Sequence, residues 1–389
     1  MKVWLQQFVF VHYRRRIFGR LADLVGSESI TFLGGIEARE SGLVIVDSIP
    51  LRNGVSHPVV PLKNHFCKSG WSWQSSFLHR TVFGDYDVLI LQGDAYLLSN
   101  WIAQIIALLR RKRVLLWTHG IYGSESRLKR WVRLVYLRLS SGLLLYGNHA
   151  RLLLEGHWFR SDQLYVVYNS ADSVGGQDLS IVERERLGRE IFPQKPDKVV
   201  VFIGRLTVVK QLTLLLEATA QLISYGESIN VLLVGDGPEK ERLENDVRKL
   251  GLESNIIFYG ACYDAMRVSA LMGLADVCVS PGNVGLTAIS ALEAGTPVIT
   301  HGNACKQMPE YEAIIPGETG IFFNEGDAVD LARVMSQWFT HKTDRQAVAQ
   351  RCKEVVAHYF HEDVQIKVIA GAIEGKPASQ YPRRNPVTA

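Results

Sequence analysis

The sequence predicts an α/β protein made of two doubly wound domains. Three observations carry that expectation: the chain length, the alternation of apolar runs with helical stretches, and a polar break between two such series. At 389 residues the chain is long enough for two domains of ordinary size. Hydrophobic residues make up 47% and charged residues 21%, the profile of a globular protein with large cores.

The second half is the easier to read. Lys198 to Gly204 (KVVVFIG) and Asn230 to Gly235 (NVLLVG) are short β-branched or leucine-rich runs ending in glycine, separated by a leucine-rich helical stretch from Leu212 to Tyr225. Continuous apolar strands with helices between them indicate a parallel sheet covered on both faces. The series continues with a helix over Pro238 to Leu250, a strand over Ile256 to Tyr259, a helix over Met266 to Ala275 and a strand over Val277 to Ser280. A helix over Thr287 to Ala294, a strand over Pro297 to Thr300 and a helix over Ala328 to Thr340 follow.

The first half alternates in the same style. Strands are expected at Val3 to Val11, Asp87 to Leu91, Arg113 to Trp117, Gly142 to Tyr146 and Gln163 to Tyr168, with helices at Ser99 to Arg111, Lys129 to Leu139 and Asn148 to Glu155. The resulting organisation is a first domain over 1–172, a polar, glycine-containing linker over 173–197 and a second domain over 198–355. A terminal helix over 356–375 is expected to pack back on the first domain, and the proline-rich stretch 376–389 to be disordered. Two such domains face each other across a cleft, where ligands meet the loops that follow strands.

Composition narrows the function classes. The most apolar stretch, Leu97 to Leu109, is too short for a bilayer span and contains Ser99, Asn100 and Gln104. Met1 to Val11 carries Gln6 and Gln7, so it reads as a buried first strand rather than a signal peptide. The cysteines, Cys67, Cys262, Cys278, Cys305 and Cys352, are scattered without metal or disulfide spacing, which suits a cytoplasmic protein. Residues 1–172 hold 21 Lys+Arg against 12 Asp+Glu, and the remainder 22 against 27. A basic first half points either to an anionic partner, such as a membrane surface or a phosphorylated lipid, or to solvated arginines on helix faces. Nucleic acid is not expected, because Arg14-Arg15-Arg16 and Arg110-Arg111-Lys112-Arg113 lack interleaved stacking aromatics.

The candidate chemistry sits just after strands. In Gly204-Arg205-Leu206-Thr207-Val208-Val209-Lys210, an arginine and a lysine can converge on one anion at a helix N-terminus, and a diphosphate carries the charge they would neutralise. Gly235-Asp236-Gly237-Pro238 is a second strand-to-helix turn, read mainly as a tight turn, whose glycines would also let a ligand approach the backbone. Pro281-Gly282-Asn283-Val284-Gly285-Leu286-Thr287 offers backbone N–H groups toward one point, and the helix that follows carries Ser290 and Glu293. In the first half His119 follows a strand in Trp117-Thr118-His119-Gly120, and Tyr168-Asn169-Ser170 is expected to shape the cleft.

In their order and intervals these segments resemble the retaining glycosyltransferase family 4. FIGRLTVVKQLTLLLEA, LLVGDGPEKERLE, ADVCVSPGNVGLTAISALEAGTPVIT and GETGIFF carry the likeness, which is strongest over residues 198–340. The resemblance implies the GT-B architecture of two facing Rossmann-like domains. It also implies a nucleoside diphosphate sugar donor whose diphosphate is held by Arg205 and Lys210, with His119 beside the donor sugar. The acceptor implied is a saccharide or polyprenyl-linked saccharide, as in bacterial surface-polysaccharide or lipopolysaccharide synthesis, reached from the cytoplasm or the inner membrane face. The family usually carries two glutamates separated by seven residues, and here Gly282 and Ser290 stand at those places. The segment Gln307-Met308-Pro309-Glu310-Tyr311-Glu312, after the next strand, is the candidate source of replacement carboxylates, Glu310 first among them. Charge on the departing diphosphate would be stabilised by Arg205, Lys210 and the N–H groups near Gly282 to Gly285, so no metal or other cofactor is expected. A nucleotide-sugar 2-epimerase and a non-catalytic nucleotide-sugar-binding homologue are the alternative readings.

Overall fold

The computed structural model describes residues 1–37, 44–67, 70–170, 179–192, 198–340 and 344–384. It divides into two units, Met1–Asp172 with Glu362–Asn385, and Ser173–His361 with the last residues of the chain.

In chain order the first unit contains β1 (Val3–Val9), α1 (Arg15–Val25), β2 (Ile30–Gly35), β3 (Ser48–Pro50), β4 (Ser56–Leu62), β5 (Asn64–Phe66), β6 (Ser72–Gln74) and α2 (Ser75–Phe83). These are followed by β7 (Val88–Gln92), α3 (Leu98–Leu109), β8 (Arg113–Thr118), α4 (Arg127–Arg138), β9 (Gly142–Leu145), α5 (Asn148–Glu155) and β10 (Leu164–Val166). Eight strands form one sheet in the order β10-β9-β8-β7-β1-β2-β4-β3, parallel except at the β3–β4 edge. Side chains alternate across its two faces. Val88, Ile90, Leu115 and Trp117 join the layer with Phe18 and Leu21, while Leu89, Leu91, Val114 and Leu116 join the layer with Phe77, Ala103 and Leu134. Both faces are covered, so these strands read as continuous apolar runs.

β1 is central yet polar. Gln6 and Gln74 are fully buried and hydrogen-bonded at 2.6 Å; Gln74 donates to Asn64 Oδ1 at 2.8 Å, and Asn100 donates to Gln6 Oε1 at 3.1 Å. This amide chain satisfies side chains that would otherwise be stranded in the core.

The helix Glu362–Glu374 belongs to the first unit, with Ile366, Ile369 and Ile373 in its core. Glu362, only 3% exposed, is held by Arg20 and by Arg16 at 2.9 Å. Residues 356–361, expected to belong to this helix, lie in the second unit. The tail also departs from expectation over 376–384. Tyr165 donates to Lys376 O at 2.6 Å, Arg384 N donates to Tyr168 Oη at 2.8 Å, and Ala378 is buried. The prolines limit helix here to the short 3-10 turn Ala378–Gln380, but they do not prevent a segment seated by backbone hydrogen bonds. The remainder of the tail, 385–389, lies outside the described residues.

The second unit opens with α6 (Ile181–Ile191), inside the segment expected to be linker. Ser180 and Glu183 form a capping box, and Arg184 joins Asp276 at 2.7 Å and Leu274 O at 2.8 Å. That docking makes α6 part of the domain; the flanking stretches 171–178 and 193–197 lie outside the described residues. Next come β11 (Lys198–Ile203), α7 (Leu212–Ser224), β12 (Ile229–Val234), α8 (Lys240–Leu250), β13 (Ile256–Gly260), α9 (Ala265–Leu274) and β14 (Val277–Ser280). The unit continues with α10 (Leu286–Glu293), β15 (Val298–His301), β16 (Gly320–Phe323), α11 (Ala328–Thr340) and α12 (Arg345–Val355). Its six strands run β13-β12-β11-β14-β15-β16, all parallel. The strand order reverses between β11 and β14, and the loops after those two strands open at this switch point, where doubly wound sheets bind ligands.

Candidate functional site

In the second unit the site is built from three loops that lean on one another. Gly204 and Gly235 end β11 and β12 with φ of 154° and 145°. A Cβ on Gly235 would lie 1.9 Å from Gly204 O, and one on Gly237 would lie 2.2 Å from Leu206 O. These glycines therefore serve contact between loops first, and Leu206 N donates to Asp236 O at 2.9 Å. They still line, with Arg205, Cys262 and Tyr263, a cavity of about 470 Å³ at the ends of β11, β12 and β13. Arg205 is exposed and makes no hydrogen bond or ion pair among the described residues.

Lys210 is placed differently. Its Nζ donates to Asn283 O at 2.7 Å and to Asn283 Oδ1 at 2.9 Å. Burial pulls its pKa below the ordinary lysine range, and the nearby charge of Glu310 opposes that shift. Glu310, 3% exposed in the turn Pro309–Ala313, acts electrostatically on Lys210.

The loop after β14 is tied down from below. Gly282 N donates to Lys210 O at 3.0 Å, and Val284 N donates to Gln307 Oε1 at 2.8 Å. Gln307 donates to Thr300 Oγ1 at 2.8 Å, and Thr300 donates to Ser280 O at 2.8 Å. Two amides expected to cradle an anion, those of Gly282 and Val284, are thus already engaged. The amides of Gly285, Leu286 and Thr287 meet no acceptor among the described residues and sit at the start of α10, whose dipole favours negative charge. Thr287 Oγ1 anchors that start to Ile203 O at 3.2 Å.

Ser290 lies one turn into α10, half-buried. Glu293 ends α10, about 10 Å along its axis from Leu286. Gln307 joins the candidate donor-binding set through Val284; its polarity between a strand and a turn is the only sign of this in the sequence.

In the first unit a cavity of about 480 Å³ is lined by Gln7, Arg14, Gln92, Trp117, His119 and Tyr146, among others. His119 follows β8, and the chain turns immediately at Gly120, φ 68°. Thr118 Oγ1 ties this corner to Gly93 O at 2.9 Å and accepts from Gly120 N at 3.1 Å. The imidazole lies 4.5 Å from the Tyr146 ring. Burial above all, then the charges of Arg14 and Arg133, push its pKa down to about 4. His119 is therefore a neutral hydrogen-bonding group near neutrality.

The two basic runs are partly structural. Arg14 turns inward over Trp117, 4.6 Å from its centroid, and donates to Tyr146 Oη at 2.9 Å. Arg110 donates to Thr81 O and Gly84 O at 2.6 and 2.9 Å. Tyr168-Asn169-Ser170, expected to shape a ligand cleft, holds the terminal helix, with Gln365 donating to Tyr168 O and accepting from Ser170, both at 2.8 Å. Asp85-Tyr86-Asp87 stands before β7; Asp85 pairs with Lys2, and Asp87 accepts from Lys2 N at 2.9 Å. Among the described residues no group of three or more His, Cys, Asp or Glu is placed to hold a metal ion.

Comparison with known proteins accords with this geometry. Residues 183–355 match the family model described as Glycosyl transferases group 1. The fold is that of the GT-B glycosyltransferases: Anabaena HepE, solved in complex with UDP, superposes with a TM-score of 0.72 at 18% identity, covering 96% of this chain and all of that one. The 2-deoxystreptamine glucosyltransferase of Streptomyces kanamyceticus is 27% identical over 181 residues, 46% of each chain. A GDP-mannose-dependent phosphatidylinositol dimannoside mannosyltransferase of Mycobacterium tuberculosis is 33% identical over 104 residues, 26% of each chain. The chain spans under half the length of these two curated relatives.

Proposed function

We propose that the protein is a retaining glycosyltransferase that moves a sugar from a nucleoside diphosphate sugar to a saccharide or lipid-linked saccharide, in polysaccharide or other glycan synthesis. The observation that carries this reading is the exposed Arg205, unpaired among the described residues, at the cavity beyond β11, β12 and β13, together with the open amides of Gly285 to Thr287. As the glycosidic bond to phosphate breaks, negative charge grows on the diphosphate, and fixed cations and amides stabilise it. Arg205 binds that charge directly. Lys210 adds a second positive charge from the loop behind it, and no metal is needed for the step. Neutral His119 orients a sugar hydroxyl. HepE was solved with UDP and with UDP-glucose, which makes uridine diphosphate sugars the first donors to try. Transfer or hydrolysis of such donors, compared between wild type and Arg205→Ala, tests the reading; turnover unaffected by that change would overturn it.

One observation favours a non-catalytic binding homologue instead. Gly282 leaves no space for the family's first glutamate, since a Cβ there would lie 2.0 Å from Val209 O. UDP binding without turnover of any donor would select that alternative.

We further propose a cytoplasmic protein that sits peripherally on an anionic membrane. Leu98, Ile102, Ile105 and Leu109 form an exposed stripe along α3, with Arg111 beyond its end. On α4, Leu128 and Trp131 are exposed beside Arg127 and Lys129. Apolar side chains flanked by cations suit the headgroup region of an anionic bilayer. No helix among the described residues is long and apolar enough to cross a membrane. Co-sedimentation with phosphatidylglycerol vesicles at low salt tests this, and protein that stays in the supernatant would refute it.

A further inference from the structure

The first unit's cavity holds a positive charge that is ion-paired with no carboxylate among the described residues. Arg14 lines it, with its guanidinium carbon 4.6 Å from the Trp117 ring centroid, 5.4 Å from that of Phe18 and 5.6 Å from that of Tyr146. Three other arginines of this unit have carboxylates: Arg20 has Glu362, Arg133 has Glu125 at 3.0 Å, and Arg151 has Glu155. Arg14 meets none among the described residues. Its Nη1 reaches Tyr146 Oη, while its Nη2 is buried without an acceptor.

Two neighbours share that condition. Among the described residues, the indole N–H of Trp117, 2% exposed, has no acceptor, and His119 Nδ1 is likewise buried without a partner. Three side chains lining one cavity thus carry unmet polar atoms, two of which can only donate. Leaving such donors buried and unmet is costly, more so for a guanidinium. Asp94, the carboxylate lining the cavity, is exposed and accepts from Tyr96 N at 2.9 Å.

We propose that this cavity binds an oxyanion on the acceptor, a carboxylate or phosphate group carried by the saccharide, through Arg14, Trp117 and His119. The proposal rests on the glycosyltransferase reading for the word acceptor, and on the first unit alone for the site. A guanidinium stacked on aromatic rings stays charged and keeps its donors in a fixed plane, which matches the geometry of an oxyanion. A neutral sugar would satisfy the donors but leave the charge unbalanced.

The test is direct binding to the full chain without donor, following the Trp117 indole N–H signal by NMR, assigned from its loss in Trp117→Phe. The probes are glucuronate, glucose 6-phosphate and glucose. Glucuronate or glucose 6-phosphate is expected to shift the signal and to bind at least tenfold more tightly than glucose; the tighter of the two identifies a carboxylate or a phosphate. Arg14→Gln is expected to abolish this preference. Should Arg14→Gln fail to fold, Trp117→Phe decides: it keeps the ring and removes one donor, and isothermal calorimetry is expected to show binding about fivefold weaker. Equal affinity for glucose, absence of binding by both anions, or anion affinity unchanged in the variants would overturn the proposal. Donor hydrolysis by wild-type protein, measured separately, tells whether the glycosyltransferase reading has failed instead.

Discussion

Gly282 lies against the backbone of Val209 so closely that a Cβ on it would come within 2.0 Å of the Val209 carbonyl oxygen. The loop after β14 and the loop after β11 are thereby in backbone contact, and Gly282 N closes the contact by donating to Lys210 O at 3.0 Å. A glutamate at this place and the observed loop packing exclude each other.

Replacing Gly282 with glutamate is therefore expected to destabilise the second unit by about 2 to 3 kcal/mol through overpacking against backbone. Ser290→Glu, on a half-buried helical position, is expected to change stability by less than about 1 kcal/mol. Urea unfolding of the two variants checks the contrast.

Arg205 and Lys210 are expected to separate. Arg205→Ala removes an exposed side chain without partners among the described residues, so the melting temperature stays within about 2 °C of wild type while the dissociation constant for UDP rises about tenfold or more. Lys210→Met removes the hydrogen bonds to Asn283, and is expected to weaken UDP binding and also lower the melting temperature. Calorimetric titration and thermal scans on both variants test this.

His119 makes a pH prediction with a definite sign. Its folded pKa of about 4 lies below the ordinary 6.5, so the unfolded chain binds the extra proton first. Stability is then full above pH 6.5 and falls as the pH drops toward 4. Between pH 7 and 4.5 this one group is expected to remove about 2 kcal/mol, and His119→Gln should lose that much less than wild type over the same interval. Paired unfolding curves at the two pH values measure it.

Glu362 is the carboxylate that Arg16 and Arg20 share, with Arg20 itself largely buried. Glu362→Ala is expected to destabilise the first unit by about 1 to 2 kcal/mol, because it takes away one of the two carboxylates of the largely buried Arg20 and leaves Asp363 to hold it alone. Replacing Arg16, nearly half exposed, with alanine should cost under about 1 kcal/mol. Chemical denaturation distinguishes the two.

Much of the second unit was legible in the residues alone. Its strands lie inside a sheet covered on both faces, so each is a nearly unbroken apolar run, and glycine marks the ends of β11 and β12. Arg205, Lys210 and the Pro281–Thr287 loop were visible for the same reason, since strand ends locate loops. The first unit hid more. Helix α1 begins in Arg14-Arg15-Arg16, which reads as a solvated charge run until Arg14 is seen over Trp117 and Arg16 beside Glu362. The buried amides of β1 break its apolar pattern, and their partners lie 68 and 94 residues away.

Local order, then, was written into the chain: strand runs, turns, helix starts and the likeness of its motifs all depend on residues near one another. Partnership was not. Whether an amide of the Pro281–Thr287 loop is open or engaged, whether Lys210 meets Asn283, and whether Arg14 finds a carboxylate depend on side chains brought together from distant segments. Those pairings arise only once the sheets assemble and the buried polar groups sort themselves among the partners within reach.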